Sequence, residues 1–190
     1  NITTLNTESI KHIALSSIVS YNSSDLDSFG AKFRYSNFIK NIDAADKSIV
    51  SNDTTVRLMR KLIPNLFRVS NYDINFEQKL QSNFADLAVL HPANYLSTIS
   101  SSVFTVDGRR VILEDDGKGN LRLIDIEDGS HKFISNVGTV NYESGMVKIV
   151  GLKIESYDGL FIKIYARTDS KDIISYARTI LTINPEDGKL

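Results

Sequence analysis

Apolar and polar residues alternate in short runs along the second half of the chain, and the runs end at glycines. The stretch "SGMVKIVGLKIESYDGLFIKIYAR", Ser144 to Arg167, shows the pattern most clearly. Alternate residues of a strand point to opposite faces of a sheet, and glycine supplies the positive φ that tight hairpin turns require. Similar runs recur from residue 103 to "IISYARTILTI" near the C-terminus. We therefore predict an antiparallel, β-sandwich-like domain over residues 103–190.

The first half of the chain has a different pattern. In "SNFIKNIDAADKSIV" the apolar residues follow a helical stripe, and Ser36 or Asn37 is available as the N-cap, so the segment predicts a helix. Residues 7–19 fit a helix or a strand equally well. The polar stretch "YNSSDLDSFG" predicts a loop or short turn that ends at Gly30, and Phe33 with Tyr35 suggests a short extended piece.

Two further segments predict strands. "VRLMRKLI" alternates until Pro64 and carries basic residues on both faces, which favours an edge or an interface position over a central one. "FRVSNYDINFEQKL" places Tyr72, Ile74 and Phe76 on one face with polar residues on the other. We expect this second segment to pair with the first as an antiparallel hairpin.

These elements predict an α+β fold that is predominantly β. A small mixed domain with a helix and a β-hairpin spans residues 1–90. A linker follows at residues 91–102, where a His-Pro step and a serine cluster change the texture of the chain, and the antiparallel β domain spans residues 103–190.

The run "LFIKIYAR" is apolar on both faces. Leu160, Ile162 and Ile164 share one face, and the other face carries Phe161, Lys163 and Tyr165. Cover for the second face comes either from the same domain or from another subunit, and both interpretations stay open. Taken with the basic strand, this pattern gives six candidate interface residues: Arg57, Met59, Arg60, Lys61, Phe161 and Tyr165.

Composition narrows the choice of partners. The 22 basic and 23 acidic side chains leave a net charge of -1, which argues against nucleic acid as a partner. No apolar run approaches the roughly 18 to 20 residues that cross a bilayer, so we expect no membrane partner. The absence of cysteine excludes disulfides, thiolate nucleophiles and sulfur-ligated zinc. The first residues resemble neither a signal peptide nor a start methionine, which suggests a fragment of a longer protein.

No motif points to catalysis. His12, His91 and His131 lie in separate segments, and "GKGN" lacks the spacing of a phosphate-binding loop. One acidic group offers ligands for calcium, although acids beside glycines are also typical of solvated hairpin turns. Its members are Glu114, Asp115, Asp116, Asp125, Glu127 and Asp128. We expect no catalytic residue, no cofactor and no metal ion.

One block of sequence is specific enough to suggest a family. "FGAKFRYSNFIKNIDAADKSIVSNDTTVRLMRKL", followed by "NYDINFEQKL" and "VGTVNYESGMVKIVGLKI", resembles the C-terminal part of the baseplate wedge proteins of T4-like contractile-tailed bacteriophages, in the baseplate-J-like group. The likeness extends roughly from Asp27 to Ile183 and does not include the family's N-terminal portion.

The resemblance implies a structural role without enzymatic activity. Such proteins form homodimers that join into a ring around the central hub, and they contact other wedge proteins. The implied location is the tail baseplate of the virion, with assembly in the host cytoplasm. The family has no catalytic motif to transfer to this chain.

Two alternatives from other classes remain. A glycan-binding or adhesin-type β-sandwich would use exposed tyrosines such as Tyr142 and Tyr157. A tail-associated hydrolase would use the acidic cluster around Asp116.

Overall fold

The computed structural model describes residues 6–52, 54–82, 97–175 and 179–183. The chain forms two compact units: unit 1 comprises residues 1–55 and 171–190, and unit 2 comprises residues 56–170. Unit 2 therefore interrupts unit 1 in the sequence. The predicted fold class is confirmed, because two α-helices accompany many antiparallel strands in the part of the chain that the structure describes.

Helix α1 of unit 1 spans Thr7–Tyr21, so the segment that the sequence left open is helical. The side chain of Asn6 caps it by accepting a 2.8 Å hydrogen bond from the amide of Ser9. Ala14, Ile18 and Tyr21 are buried at helical spacing. A π-helical turn, Asn22–Leu26, follows where a loop or short turn was predicted.

Helix α2 spans Tyr35–Asp43, within the region where a helix was predicted. The expected N-cap at Ser36 or Asn37 is wrong, because the N-cap position is Arg34, two residues before Ser36, and a distant side chain caps the helix. Asp172 accepts a 2.9 Å hydrogen bond from the amide of Tyr35 and pairs with Arg34 at 2.8 Å. A residue near the C-terminus thus completes the first turn of an N-terminal helix.

A two-stranded sheet closes unit 1. Strand β1, Lys32–Phe33, pairs antiparallel with strand β12, Ile173–Ile174. The observed strand β12 is thus much shorter than the predicted final strand "IISYARTILTI". Residues 176–178 of that segment lie outside the described part of the chain. The rings of Tyr21, Phe33 and Phe38 meet at centroid distances of 5.3–6.0 Å in the core of the unit.

Unit 2 contains a ten-stranded antiparallel sheet. Its strands are β2 Leu58–Leu62, β3 Val69–Asn75, β4 Ile99–Ser101, β5 Phe104–Val106, β6 Arg109–Asp115, β7 Asn120–Asp125, β8 Lys132–Asn141, β9 Met146–Lys153, β10 Ser156–Tyr157 and β11 Ile162–Ala166. The spatial order is β2-β11-β4-β6-β7-β8-β9-β3, and β5 pairs with β6 and β10.

The hairpins β6–β7, β7–β8 and β8–β9 confirm the antiparallel pattern read from the turns. The predicted hairpin of β2 with β3 is wrong, because β2 pairs with β11 and β3 pairs with β9. The connection from residue 63 to residue 68 leads to the opposite end of the strand order instead of reversing the chain locally. Ile74 lies opposite Val147, and both are buried, so apolar cross-strand pairing favours this distant partner.

The sheet nearly closes around its core. After β3, the amide of Leu80 donates to the carbonyl of Tyr142 at 2.7 Å, and Leu80 also forms an isolated bridge with Thr168. The guanidinium of Arg60 lies 3.7 Å from the carboxylate of Glu77, beyond the end of β3. The interior is filled by fully buried side chains that include Phe76, Leu80, Phe104, Leu113, Leu121, Ile149, Ile162 and Ile164.

The divisions between the two units do not fall in the predicted linker at residues 91–102. Part of that linker, residues 91–96, lies outside the described residues, and Ile99–Ser101 forms β4 of the sheet. Strands β2 and β3, predicted for the first domain, belong to the same sheet as the later strands. The observed divisions fall at residues 55–56 and 170–171.

Close packing of β8 against β9 depends on a glycine. A Cβ atom on Gly138 would lie 1.8 Å from the carbonyl oxygen of Lys148. We expect Gly138→Ala to lower the free energy of unfolding by roughly 1–3 kcal/mol, measured by urea denaturation. Gly129→Ala is the control, since its Cβ meets no atom within 4 Å and only its positive φ disfavours alanine. Equal losses in the two variants would contradict the predicted clash.

Asp172 makes the stability of unit 1 depend on pH. The hydrogen bonds from Arg34 and from the amide of Tyr35 hold the pKa of Asp172 below its ordinary value. Its contribution is therefore present above the unfolded pKa, near 4, and is lost as pH falls through the lower folded pKa. We expect Asp172→Asn to unfold more readily than the wild type at pH 7, with the gap closing below about pH 4.

Urea denaturation across a pH series measures this gap. The control is Asp158→Asn, since Asp158 is exposed. A gap for Asp172→Asn that stays constant into the acid range would show that the carboxylate charge is not what caps the helix.

Candidate interaction surface

Strands β2 and β11 present one shared outer face. Met59 lies opposite Tyr165, and Lys61 lies opposite Lys163. Direct cross-strand neighbours share a face, and so do alternate residues along each strand. We call the resulting surface the basic face. It consists of the paired residues Met59, Lys61, Lys163 and Tyr165, and of three residues just beyond the ends of the two strands: Arg57, Phe161 and Arg167. Leu62, Ile162 and Ile164 point the other way and are buried in the core.

The structure brings the predicted interface residues together at this end of the sheet. Five of the six lie on the basic face: Arg57, Met59, Lys61, Phe161 and Tyr165. Arg60 lies on the opposite face, where its guanidinium approaches Glu77 at 3.7 Å. That these residues form an interface stays a prediction.

The positions of the two strands explain their sequence patterns. Strand β2 stands at one end of the strand order, so the predicted edge position is confirmed, and its second edge has no strand partner among the described residues. Strand β11 lies between β2 and β4 and is therefore central. Its two-faced apolar character thus combines a core row with an outer row of half-buried aromatic side chains.

Positive charges stand close together on the basic face. Lys61 and Lys163 are direct cross-strand neighbours. Burial lowers the pKa of the Arg167 guanidinium, and the charge of nearby Arg57 lowers it further. Residues 54–63 and 160–168 contain no Asp or Glu, so neither strand supplies a counter-charge. The ammonium group of Lys61 lies 4.7 Å from the centroid of the Phe161 ring.

The side chains of the basic face differ in their exposure to solvent. Arg57 and Lys61 are exposed, whereas Met59, Phe161 and Tyr165 are half-buried. Protein interfaces are enriched in Met, Arg and aromatic side chains relative to the rest of the surface. Five of the seven residues of the basic face are of these enriched types, and the other two are lysines, which interfaces contain less often.

Tyr142 and Tyr157 do not form the exposed pair that the glycan-binding alternative requires. The hydroxyl of Tyr142 donates to Oδ2 of Asp115 at 2.7 Å. Burial raises the pKa of Tyr142, and Asp115 raises it further. Tyr142 lines an open groove of about 500 Å³, but its hydroxyl is already engaged. Tyr157 is half-buried and packs against the core of unit 2.

The acidic residues of the hairpin tips serve the turns themselves. Asp115 is fully buried and accepts from the amide of Ile99 at 2.8 Å. Asp116 accepts from the amides of Lys118 and Asn120, and Asp125 accepts from the amide of Glu127. Across the described ranges, no three His, Asp or Glu side chains are placed to hold a metal ion.

The histidines are also dispersed. His131 lies 3.1 Å from the carboxylate of Glu114, His12 lies on α1, and His91 is outside the described residues. Within the described part of the chain, neither helix combines the length and the apolar character needed to cross a bilayer.

Sequence reasoning placed Lys163 on the same face as Phe161 and Tyr165 but did not count it among the interface residues, and it missed Arg167. Their signal was present, because they alternate with Phe161 and Tyr165, but it becomes meaningful only once β11 is paired with β2. It also missed the structural role of Asp115, since "DDG" reads as a solvated turn. No local signal shows that the first of these acids points inward.

Comparison with known proteins gives one family. Residues 1–61 match the family described as baseplate structural protein gp6, C-terminal domain III. The matched segment contains α1, β1, α2 and nearly all of β2. No curated protein matches the chain. The family match confirms the recognition made from the sequence and supports a structural role in the baseplate of the virion tail.

A variant of Tyr142 separates a structural from a ligand-binding role for this side chain. Tyr142→Phe removes a hydrogen bond to a fully buried carboxylate. We expect a loss of about 1–3 kcal/mol in the free energy of unfolding, measured by urea denaturation. Tyr157→Phe is the matched control, and a change within about 0.5 kcal/mol is expected for it. Equal stability of Tyr142→Phe and the wild type would contradict this role.

Proposed function

Because its first 61 residues match the family described as baseplate structural protein gp6, C-terminal domain III, we propose that this chain is a structural component of the phage baseplate wedge. It forms homodimers and contacts neighbouring wedges in the ring around the central hub. The family match over residues 1–61 is the observation that carries the proposal. Its assembly takes place in the host cytoplasm.

The chain acts by contact and not by catalysis. The family that residues 1–61 match is described as structural. The carboxylates of Asp115, Asp116 and Asp125, which the hydrolase alternative requires, accept hydrogen bonds from backbone amides of the hairpins. The features that remain are surfaces, and two of them suit protein partners.

The first surface is the basic face, on which five of the six predicted interface residues lie. Strongly charged surfaces favour partners of opposite charge. We therefore assign the basic face to contact with a neighbouring wedge protein.

The second candidate surface, which we call the apolar cluster, consists of five exposed apolar side chains in the connection from β2 to β3, at the start of β3 and just before β11: Ile63, Leu66, Phe67, Val69 and Leu160. Ile63 and Leu160 flank the paired residues Leu62 and Ile162, and the amide of Phe67 donates to the carbonyl of Ile154 at 2.8 Å. Phe67 and Leu160 are 67% and 84% exposed. Clustered exposed apolar side chains mark interaction sites.

We assign the apolar cluster to the homodimer. A two-fold contact brings the same patch of both copies together, so the patch must complement itself. Apolar side chains meet this condition without charge repulsion.

Sedimentation velocity across a concentration series tests the homodimer. We expect the chain to dimerise in the micromolar range, and Phe67→Ser with Leu160→Ser to raise the dissociation constant at least about tenfold. Both side chains are exposed, so the double variant is expected to keep its fold. Val50→Ser is the control, since Val50 is 93% exposed but lies in unit 1. A strict monomer at high micromolar concentration would refute the homodimer, and absence of the chain from purified baseplates by mass spectrometry would refute the baseplate role.

A further inference from the structure

We propose that the basic face binds an acidic, extended segment of a different baseplate protein, which adds as a strand to the edge of β2 that has no partner among the described strands. The inference rests on the proposed baseplate role and specifies the chemistry of the partner. Three observations support it: the charges of the face, the edge position of β2, and the repulsion that a second copy of the same chain would meet at this edge.

Like charges lie close together on the basic face. Lys61 stands directly opposite Lys163, and Arg57 is close enough to lower the pKa of Arg167. Like charges directly opposite each other destabilise an antiparallel sheet. The chain as a whole has a net charge of -1, so this concentration is local. Carboxylates of a partner convert the repulsion into attraction when they lie between these cations.

The two strands supply no counter-charge of their own. Neither residues 54–63 nor residues 160–168 contain an acid. Among the described ion pairs, β2 contributes one, between Arg60 and Glu77, and Arg60 lies on the opposite face of the strand. The ammonium group of Lys61 contacts an aromatic ring instead of a carboxylate.

The shape of the partner follows from the position of β2. Its second edge has no strand partner among the described residues, and an added strand lies about 4.8 Å away. Every second side chain of that strand stands beside Arg57, Met59 and Lys61. The complementary pattern is an acid, an apolar residue and an acid at alternate positions. Backbone hydrogen bonds then supply affinity, and this pattern supplies specificity.

A second copy of the same chain fits this edge poorly. Two β2 strands paired antiparallel about Met59 place Arg57 of each chain opposite Lys61 of the other copy. Such a contact adds two repulsive pairs to those already present. The basic face therefore selects a partner other than its own copy, and this separates it from the apolar cluster assigned to the homodimer.

Lysine on an edge strand also has a simpler role, since it discourages aggregation through the free edge. The sign of the charge distinguishes the two roles. Glutamate protects an edge as well as lysine does, but it does not attract an acidic strand.

The binding test uses a fluorescein-labelled peptide, Thr-Glu-Thr-Val-Thr-Glu-Thr, and follows fluorescence anisotropy at physiological salt. We expect Arg57→Glu with Lys61→Glu to weaken binding at least about tenfold. The melting temperature of this double variant is expected to stay unchanged or rise, because glutamate at position 61 faces Lys163. A lower affinity together with an intact or stabler fold excludes misfolding as the cause.

The matched control is Arg109→Glu with Lys153→Glu, which makes the same charge change at two other exposed positions of the sheet. We expect it to bind the peptide as the wild type does. Equal weakening in both double variants, or full binding by Arg57→Glu with Lys61→Glu, would overturn the proposal. Tighter binding of a short single-stranded DNA than of the peptide would assign the face to nucleic acid and would also overturn it.

Carbodiimide cross-linking of purified baseplates identifies the natural partner, because the reagent joins lysine amines to adjacent carboxylates. We expect Lys61 to cross-link to an Asp or Glu of another baseplate protein. Lys61→Arg keeps the charge and is expected to assemble normally while losing this product. Cross-links from Lys61 to its own copy, or none in baseplates that contain the chain, would refute the assignment while leaving the baseplate role intact. Absence of the chain from baseplates would instead refute the proposed function, while the peptide measurement still tests the face.

Discussion

The structure of unit 2 depends on the pairing of β2 with β11, two strands far apart in the sequence. Leu62 opposite Ile162 supplies the apolar row that makes the pairing favourable, since both side chains are buried. The same register fixes the outer row, where Met59 meets Tyr165 and two lysines face each other. The hydrophobic core therefore sets the geometry of the charged surface, because a slip of one residue would exchange the two rows.

A buried carboxylate gives the sheet a second constraint. Asp115 at the end of β6 accepts from the amide of Ile99 in β4 and from the hydroxyl of Tyr142 just after β8. A buried charge is tolerated only where several donors surround it. Elements that are not sequence neighbours must all be in place before these donors converge. The network thus disfavours other strand orders, which apolar residues alone would accept more readily.

The sequence predicted most strands of unit 2, because period-two alternation and glycine turns are local signals. It did not predict the partner of β2, since alternation defines the faces of a strand and not its neighbour. The cap of α2 was missed for a similar reason, because Asp172 lies 137 residues from Tyr35 in the sequence. For the candidate surface, alternation grouped Phe161 with Tyr165 correctly, but Lys163 and Arg167 gained meaning only beside β2.

The interruption of unit 1 by unit 2 determines the order in which the chain is completed during synthesis. Helices α1 and α2 leave the ribosome before unit 2, yet β12 and Asp172 emerge only after all of residues 56–170. Unit 2 therefore has all its strands available while unit 1 still lacks one strand of its sheet and the cap of α2. Native unit 1 thus forms only on chains that have been translated past unit 2. Every chain with a complete unit 1 therefore already contains the strands of the basic face.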